Sequence, residues 1–246
     1  METHGHHLHK APGNKFWHYF FEFFMLFIAI SLGFFVENLR EHHVENEREE
    51  KYMKSFVSDL KTDLVNIDST INRNFEAKMY YDSLFYLLTY PDYSDKTGEI
   101  YFISRKVSLR DFFYQTDGTL TQLINSGGLR LVQHQDIVDS INAYLNIYEV
   151  LKKAQQLKEI QLMDYRNSCC KVFDVRIYEN IMTGTKMHRP DGNPKLLSGN
   201  PEYINELLMR ALYVKRNNAG TIELLEIMKR KALNMQQLIN EKYHFE

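Results

Sequence analysis

The chain has 246 residues, of which 44% are hydrophobic and 25% charged, with a formal net charge of −2 at pH 7. These values are typical of a globular protein and exclude the basic excess of a nucleic-acid-binding chain. Cys169 and Cys170 are adjacent. Because neighbouring residues rarely meet disulfide geometry without strain, they are interpreted as two ordinary thiols rather than a reactive or metal-binding pair.

The first 15 residues form a polar tail with one proline and two glycines, a composition that predicts disorder. The tail is rich in histidine, at positions His4, His6, His7 and His9. Isolated histidine tracts bind transition metals weakly and without fixed geometry. No metal site and no cofactor are therefore predicted.

Residues 16–36 form one apolar, phenylalanine-rich run. As an α-helix it would span about 31 Å, which matches the roughly 30 Å hydrocarbon core of a bilayer. The run is long for a signal-peptide core and no A-x-A cleavage site follows it, so it is interpreted as an uncleaved anchor. A single-pass membrane protein is predicted.

Glu22 is the acidic residue of this run. A helix that started after it would reach only about 21 Å, so Glu22 is predicted to lie inside the membrane or at its edge. His18 precedes it by about one helical turn, and the two side chains can share a hydrogen bond. An intramembrane carboxyl also raises the alternative of an ion or proton pathway, although one acid on one helix makes no pathway.

On a helix that turns about 100° per residue, four side chains of the run point within about 40° of one common direction. This transmembrane face consists of His18, Glu22, Ala29 and Gly33, and Arg40 continues its line. In lipid, small residues let helix backbones approach closely and polar side chains hydrogen-bond between helices. The face is therefore predicted to pack against a second copy or another membrane protein.

The charges beside the run indicate an orientation. Lys10 and Lys15 precede it against the single acid Glu2, whereas both signs of charge follow it. The balance favours a bacterial inner-membrane protein with a cytoplasmic N-terminus and a periplasmic C-terminal domain, although a strict count of Lys and Arg favours this less.

No Pro or Gly occurs from Glu37 to Leu88, which predicts one long helix or two nearly collinear ones. Residues 37–52 carry few large apolar side chains and are interpreted as a charged, solvated stalk. Beyond them, apolar residues alternate at spacings of four and three in a heptad pattern. This heptad face consists of Met53, Val57, Leu60, Leu64, Ile67 and Ile71. The pattern then shifts to Phe75 and Met79, which favours a bundle helix over an extended coiled coil.

Turn-forming residues mark a loop region from Pro91 to Gly118, in which residues 99–104 are the only plausible short strand. A helix is predicted from Thr119 to Asn125, since two consecutive glycines follow it as a C-cap signal.

A second long helix is predicted from Ile137 to about Asn167, on apolar residues that again step by four and three. Residues 168–199 form a long irregular connection, which is the best place in this part for a ligand or partner surface, although no catalytic spacing occurs there. Asn200 followed by Pro201 predicts the start of a final helix that runs to the C-terminus, with an adjustment near residues 217–220.

Two blocks resemble a family of uncharacterised single-pass proteins from Bacteroidota. The anchor is similar to the pattern G-E-I-x-L-V-x-x-G-I-L-I-A-L-x-x-N-N-W-N-E, through Glu22, Ala29, Gly33, Glu37, Asn38 and Glu41. The second block is similar to L-x-S-S-G-x-L-x-L-I, through Leu123, Ser126, Gly127, Leu129, Leu131 and Val132. Ala29 stands where the family usually has Gly, Gly33 where it has Ala, and Leu39 replaces its Trp. The resemblance implies the architecture and carries no established activity.

The predicted fold is all-α, with one transmembrane helix followed by an elongated bundle of about four long helices with irregular connections over residues 53–246. The leading hypothesis is a noncatalytic membrane-anchored scaffold that oligomerises or packs on a membrane partner through the transmembrane face and the heptad helix. It predicts no small-molecule substrate.

Two other classes of function stay open. One is an accessory or sensor subunit of a transport or signalling complex, with Glu22 in proton or ion coupling. The other is a hydrolytic enzyme with its site in the connection at residues 168–199.

Overall fold

A computed structural model describes residues 15–184 and 186–245. In this part the chain forms six α-helices, a short 3-10 helix and a two-stranded hairpin. The α-helices are α1 (Lys15–Thr89), α2 (Thr97–Lys106), α3 (Gly118–Asn125), α4 (Gln135–Val172), α5 (Val175–Asn180) and α6 (Pro201–Tyr243). The 3-10 helix is Gly128–Leu131, and strands β1 (Met182–Thr183) and β2 (Lys186–Met187) pair antiparallel. The predicted all-α fold, with an apolar N-terminal helix followed by further helices, is confirmed.

Helix α1 contains the apolar run and continues without interruption to Thr89. It carries the one stretch in the described residues that is long and apolar enough to cross a membrane, and none of that stretch is buried. The chain divides into two compact units, Met1–Lys51 and Tyr52–Glu246, which are named here the anchor unit and the helical unit.

The helical unit is built on three long helical segments around two apolar clusters. The first cluster joins residues 53–71 of α1, 137–151 of α4 and 225–239 of α6. The second joins residues 81–88 of α1, 162–172 of α4 and 204–214 of α6. Since α1 and α4 meet the clusters in the same order and α6 meets them in reverse, α4 runs parallel to α1 and α6 runs antiparallel to both.

The segment between α1 and α4 returns from the second cluster to the first. Helix α2 packs into the second cluster, and Phe113, Leu120 and Leu123 pack into the first. Two parallel helices need such a return, because α1 ends at the opposite end of the helical unit from the start of α4.

Residues 99–104, predicted as a short strand, are helical and lie inside α2, so that prediction is wrong. Four consecutive apolar side chains at positions 100–103 are buried there. A helix pairs its backbone groups internally, whereas a strand at this buried place would need a neighbouring strand to satisfy them. Packing thus overrides the β-propensity of the segment.

The short helix predicted at residues 119–125 is confirmed as α3. Gly127 follows it with a φ of 69°, in the left-handed region that glycine adopts most readily. The two consecutive glycines therefore end α3 and start the 3-10 helix.

Helix α4 is longer than predicted, and the adjustment predicted near residues 217–220 of the last helix is absent from α6. Helix α4 extends past Asn167 to Val172. Helix α6 begins as predicted, where the Asn200 side chain accepts a hydrogen bond from the Glu202 N–H, and it continues through Gly220 without a break.

Seven-residue repeats of buried positions run along all three long helices. They are Met53, Leu60, Ile67, Asn74, Tyr81 and Leu88 on α1; Ile137, Tyr144, Leu151, Lys158, Tyr165 and Val172 on α4; and Ile204, Ala211, Asn218, Leu225, Ala232 and Ile239 on α6. Phe75 and Met79, predicted to continue the apolar stripe, are both 54% exposed, so that prediction is wrong. The stripe keeps its register instead by passing through a polar residue, Asn74.

Candidate functional site

The residues of the predicted transmembrane face are all exposed on α1 in the single chain. They are His18, Glu22, Ala29 and Gly33. The hydrogen bond predicted between the side chains of His18 and Glu22 is absent from the described residues, in which both side chains are exposed.

Gly33 leaves an open space on this face. A Cβ atom built on Gly33 would meet no atom within 4 Å. A larger side chain at this position therefore fits the single chain without a clash, and any effect of such a substitution reports on contacts with other molecules.

The predicted heptad face lies inside the helical unit. Met53, Val57, Leu60 and Ile67 are buried in the first apolar cluster, and Leu64 and Ile71 are partly buried against it. These side chains pack against α4 and α6 of the same chain. They are therefore covered in the folded chain.

A polar layer separates the two apolar clusters. At this level each seven-residue repeat changes from an apolar to a polar residue, namely Asn74 on α1, Lys158 on α4 and Asn218 on α6. Thr70, Gln155 and Thr221 are buried beside them. The apolar pattern of the sequence does not predict this layer, because Asn74, Lys158 and Asn218 interrupt that pattern, although each lies seven residues after a buried position of its helix.

Lys158 is the charged member of this layer and is only 1% exposed. Its Nζ donates to Asn74 Oδ1 at 2.7 Å and lies 5.7 Å from the centre of the Phe112 ring. Burial lowers the pKa of the Lys158 ammonium to about 8, against a smaller opposing effect of Asp111. Asn74 in turn donates to the carbonyl oxygens of Thr70 and Asp111. Helices α1 and α4 and the segment between them, residues 90–134, named here the return segment, therefore meet at this point.

Gln155 fixes the return segment to α4. Its amide accepts from the Phe113 N–H at 2.7 Å and donates to the Phe113 carbonyl at 3.1 Å. Asn218 on α6 differs, since neither its amide nitrogen nor its amide oxygen has a hydrogen-bond partner in the described chain. The layer is thus joined by hydrogen bonds between α1 and α4, whereas its member on α6, Asn218, has no hydrogen-bond partner in the described chain.

Two carboxylates on α1 hold the start of α3. Asp63 accepts from the Tyr144 hydroxyl and from the Thr116 N–H, both at 2.7 Å, and Asp59 accepts from the Thr119 N–H at 3.1 Å. Burial raises the pKa of Asp63, and the two hydrogen bonds oppose that shift. These contacts explain why a short helix is stable beside α1.

Of the connection predicted at residues 168–199, the structure places residues 168–172 in α4 and forms α5 and the hairpin from part of the rest, and residues 192–195 pack onto α2. The Gly98 N–H donates to Asn193 Oδ1, and the Tyr101 hydroxyl donates to the Lys195 carbonyl. A Cβ on Gly98 would clash with the Gly192 carbonyl oxygen, so this close approach requires glycine. His188 and Asp191, noted in the sequence without a catalytic spacing, are exposed on this segment.

The two adjacent cysteines differ in environment. Cys169 is buried, and burial raises the pKa of its thiol to about 12, whereas Cys170 is exposed. Both are free thiols. No group of three or more His, Cys, Asp or Glu side chains is arranged for a metal ion among residues 15–184 and 186–245, and the histidine tail lies outside the described residues.

Comparison with protein-family models, with curated proteins and with solved structures finds no match for this chain. The resemblance to the Bacteroidota single-pass family therefore stays an expectation from the sequence.

Proposed function

We propose that this chain is a noncatalytic, membrane-anchored interaction module. It associates with a second copy, or with another membrane protein, through the transmembrane face of His18, Glu22, Ala29 and Gly33. The observation that carries the proposal is the open space at Gly33, on an exposed helical face that also bears a carboxyl group. Close backbone approach and interhelical hydrogen bonds are the forces available to helices in lipid.

The heptad face is not part of the proposed surface. Its side chains are covered by α4 and α6, so the helical unit contributes a folded domain rather than an open helix for pairing. The association then depends on the anchor.

Replacement of Gly33 by Leu tests the association. Gly33→Leu places a bulky side chain on the proposed contact face and should convert the associated chain in detergent micelles to monomers, as measured by sedimentation equilibrium. Ser31 lies about 180° from the centre of this face. Ser31→Leu is therefore the matched control and should leave the association unchanged. A wild-type chain that sediments only as a monomer contradicts self-association.

Glu22 supplies a second arm of the test. Glu22→Gln keeps a hydrogen-bonding side chain and should retain association, whereas Glu22→Leu should weaken it by an amount on the order of 1 kcal/mol. Equal association of the two variants would contradict a role for Glu22 in the contact.

We further propose that the chain lies in a bacterial inner membrane with its N-terminus in the cytoplasm and the helical unit in the periplasm. The excess of positive charge on the short tail supports this orientation. Cys170 provides a natural probe, because it is exposed on the helical unit while Cys169 is buried with a raised pKa.

A membrane-impermeant maleimide tests the orientation. It should label the wild-type chain in intact cells with a permeable outer membrane, and it should not label Cys170→Ser. Labelling that appears only after lysis would place the helical unit in the cytoplasm and contradict the proposed orientation.

A further inference from the structure

A histidine and a glutamate lie side by side on α1 shortly after the apolar run. His43 Nε2 is 3.4 Å from Glu47 Oε1, and the two side chains are 75% and 70% exposed. Both residues belong to the anchor unit. Exposed pairs of this kind contribute little to stability, so neither side chain is needed to hold the fold. The two residues, named here the His43–Glu47 pair, are therefore free to bind a ligand from solvent.

The spacing of this pair suits a zinc ion. Zinc binds histidine nitrogen and carboxylate oxygen at about 2.0–2.2 Å in a tetrahedral arrangement, in which two neighbouring ligand atoms are about 3.3–3.6 Å apart. The 3.4 Å between His43 Nε2 and Glu47 Oε1 falls in this range. The adjacent pair of His42 and Glu45 is wider, at 3.9 Å. The His43–Glu47 pair thus has the separation of two ligands of one ion.

One chain supplies too few ligands for such an ion. A structural zinc site has four protein ligands. Residues 15–184 and 186–245 contain no group of three or more His, Cys, Asp or Glu side chains arranged for a metal ion. The His43–Glu47 pair therefore makes half of a site, and a second molecule has to supply the other half.

The His43–Glu47 pair lies on the same line of α1 as the transmembrane face. His43 follows Ala29, and Glu47 follows Gly33, by 14 residues, which is two heptads. On a helix of about 100° per residue, His43 and Glu47 point within about 40° of Ala29. The face that we propose as the contact with a second copy therefore continues through this pair.

A second copy places an identical pair opposite the first. Two copies inserted in the same orientation have parallel helices, and a two-fold axis between them brings equal residues together. Equivalent heptad positions stay in contact when the helices cross at about 20°, with their axes about 8–10 Å apart. Two His43 and two Glu47 side chains then surround one point, which completes a set of four ligands.

The charges around this point favour a divalent cation. Two Glu47 carboxylates that face each other repel, and one doubly charged ion balances them. Histidine binds a metal as the neutral imidazole and adds no charge. Arg40 lies three residues before His43 and donates two hydrogen bonds to Glu37 of its own chain, so its positive charge is already balanced.

We propose that His43 and Glu47 of two copies together bind one zinc ion, and that this ion strengthens the association of the two chains. The inference rests on the self-association proposed above for the transmembrane face. Zinc accepts two nitrogen and two oxygen ligands in a tetrahedral arrangement, whereas magnesium and calcium take six or more ligands that are mainly oxygen.

Sedimentation equilibrium of the full chain in neutral detergent micelles tests the proposal, with zinc chloride or with EDTA at about pH 7.5, where histidine is mostly neutral. Every protein in the test carries alanine at the four histidines of the tail, because histidine tracts also bind zinc: His4, His6, His7 and His9. Zinc should lower the dissociation constant of the dimer at least roughly tenfold relative to EDTA. An equal dissociation constant in zinc and in EDTA overturns the proposal.

Variants assign the zinc response to the His43–Glu47 pair. His43→Ala and Glu47→Gln should each abolish the response and retain association in EDTA. His42→Ala is the matched control and should keep the full response, because His42 is 66% exposed and points about 140° away from Ala29. Equal zinc responses of His43→Ala and His42→Ala would assign the effect to other ligands and overturn the proposal.

Cobalt(II) provides a second readout, since four-coordinate cobalt absorbs visible light far more strongly than the hydrated ion. Titration of the same protein should develop this absorption and reach its end point at about one ion per two chains. His43→Ala should remove the absorption. An end point at about one ion per chain overturns a site shared between two copies.

The outcomes separate this inference from the proposed function. Association in EDTA that zinc leaves unchanged overturns the metal site, while the transmembrane association stands. A chain that is monomeric in EDTA and dimeric in zinc only when His43 is present supports the metal site and contradicts association driven by the transmembrane face. A chain that is monomeric under both conditions overturns both.

Discussion

Lys158 on α4 donates a hydrogen bond to Asn74 on α1 at 2.7 Å, and both side chains are buried between the two apolar clusters. An amide oxygen satisfies one of the three ammonium donors but does not neutralise the charge. The folded helical unit therefore holds a cation that water would stabilise better. The free energy of unfolding should consequently depend on pH.

We expect the stability of the wild-type chain to rise between pH 8 and 10.5 relative to Lys158→Met. Burial lowers the pKa of Lys158 from 10.5 to about 8, so the folded chain binds fewer protons than the unfolded chain within this window. The cost of the buried charge is fully present below the lower value and is relieved as the pH rises, by roughly 3 kcal/mol in total. Urea unfolding of both proteins across this range measures the difference.

The exposed lysine Lys153 on the same helix provides the control. Lys153→Met should leave the pH dependence of unfolding unchanged. A constant difference between wild type and Lys158→Met from pH 7 to pH 10.5 would contradict a lowered pKa of Lys158 in the folded chain.

Asn218→Leu should stabilise the chain. Asn218 is 1% exposed, and its amide atoms have no hydrogen-bond partner in the described chain. A buried polar group without a partner costs on the order of 1–3 kcal/mol, and a leucine of similar size removes that cost. The midpoint of thermal unfolding should therefore rise.

The neighbouring Asn217 is the matched control for this change. Its amide donates to the Ala154 carbonyl and accepts from the Thr221 hydroxyl, both at 3.1 Å. Asn217→Leu removes both bonds and should lower the free energy of unfolding by about 1–2 kcal/mol. A loss of similar size in Asn218→Leu would show that Asn218 has a partner after all.

Gly98→Ala should destabilise the packing of residues 188–200 on α2. The added methyl group meets the Gly192 carbonyl oxygen, which is backbone and cannot rotate away. We expect a loss of about 1–3 kcal/mol, together with faster proteolysis in the connection, as measured by limited trypsin digestion.

Gly220→Ala is the contrasting variant. Gly220 is inside α6, where a Cβ atom meets nothing within 4 Å. The change should stabilise the chain by about 0.5–1 kcal/mol, because alanine favours the helix. If both glycine variants shifted stability in the same direction, the close approach at Gly98 would be contradicted.

Tyr144→Phe should destabilise the chain more at pH 7 than at pH 4. The Tyr144 hydroxyl donates to the buried Asp63 carboxylate, whose pKa is raised by burial. Without that donor the ionised carboxylate is less well satisfied, so the folded-state pKa rises further and the penalty grows as Asp63 ionises with increasing pH. We expect a loss of about 1–3 kcal/mol at pH 7 in urea unfolding.

Tyr148 lies one helical turn after Tyr144 and is partly buried without a hydrogen bond to a carboxylate in the described helical unit. Tyr148→Phe should therefore change stability little at either pH. A pH-independent effect of Tyr144→Phe would contradict an ionised Asp63 at neutral pH.

The apolar helical run of residues 16–36 and the start of α6 could be predicted from the sequence because each depends on local chemistry. An apolar run of membrane length needs no tertiary context to be recognised. The Asn200 and Pro201 pair satisfies the first backbone groups of a helix within a few residues, and the same hydrogen bond is present in the structure.

The helical conformation of residues 99–104 could not be predicted from local chemistry. The same holds for the buried positions of α1 beyond Ile71. Residues 99–104 have a strand-like composition, but they are buried where no strand is available to pair with them. Phe75 and Met79 are more apolar than Asn74, yet Asn74 is buried and they are exposed, because the seven-residue register of α1 continues through the polar layer.

By itself the sequence determined that the chain is helical, that one stretch is apolar and long enough to cross a membrane, and where several helices begin and end, because propensity, capping and hydrophobic length act over short distances. Only the tertiary structure decided which side chains of those helices are covered. The parallel course of α1 and α4 and the return of the segment between them bring Lys158 to Asn74, and contacts between residues so distant in sequence depend on the packing of the whole helical unit.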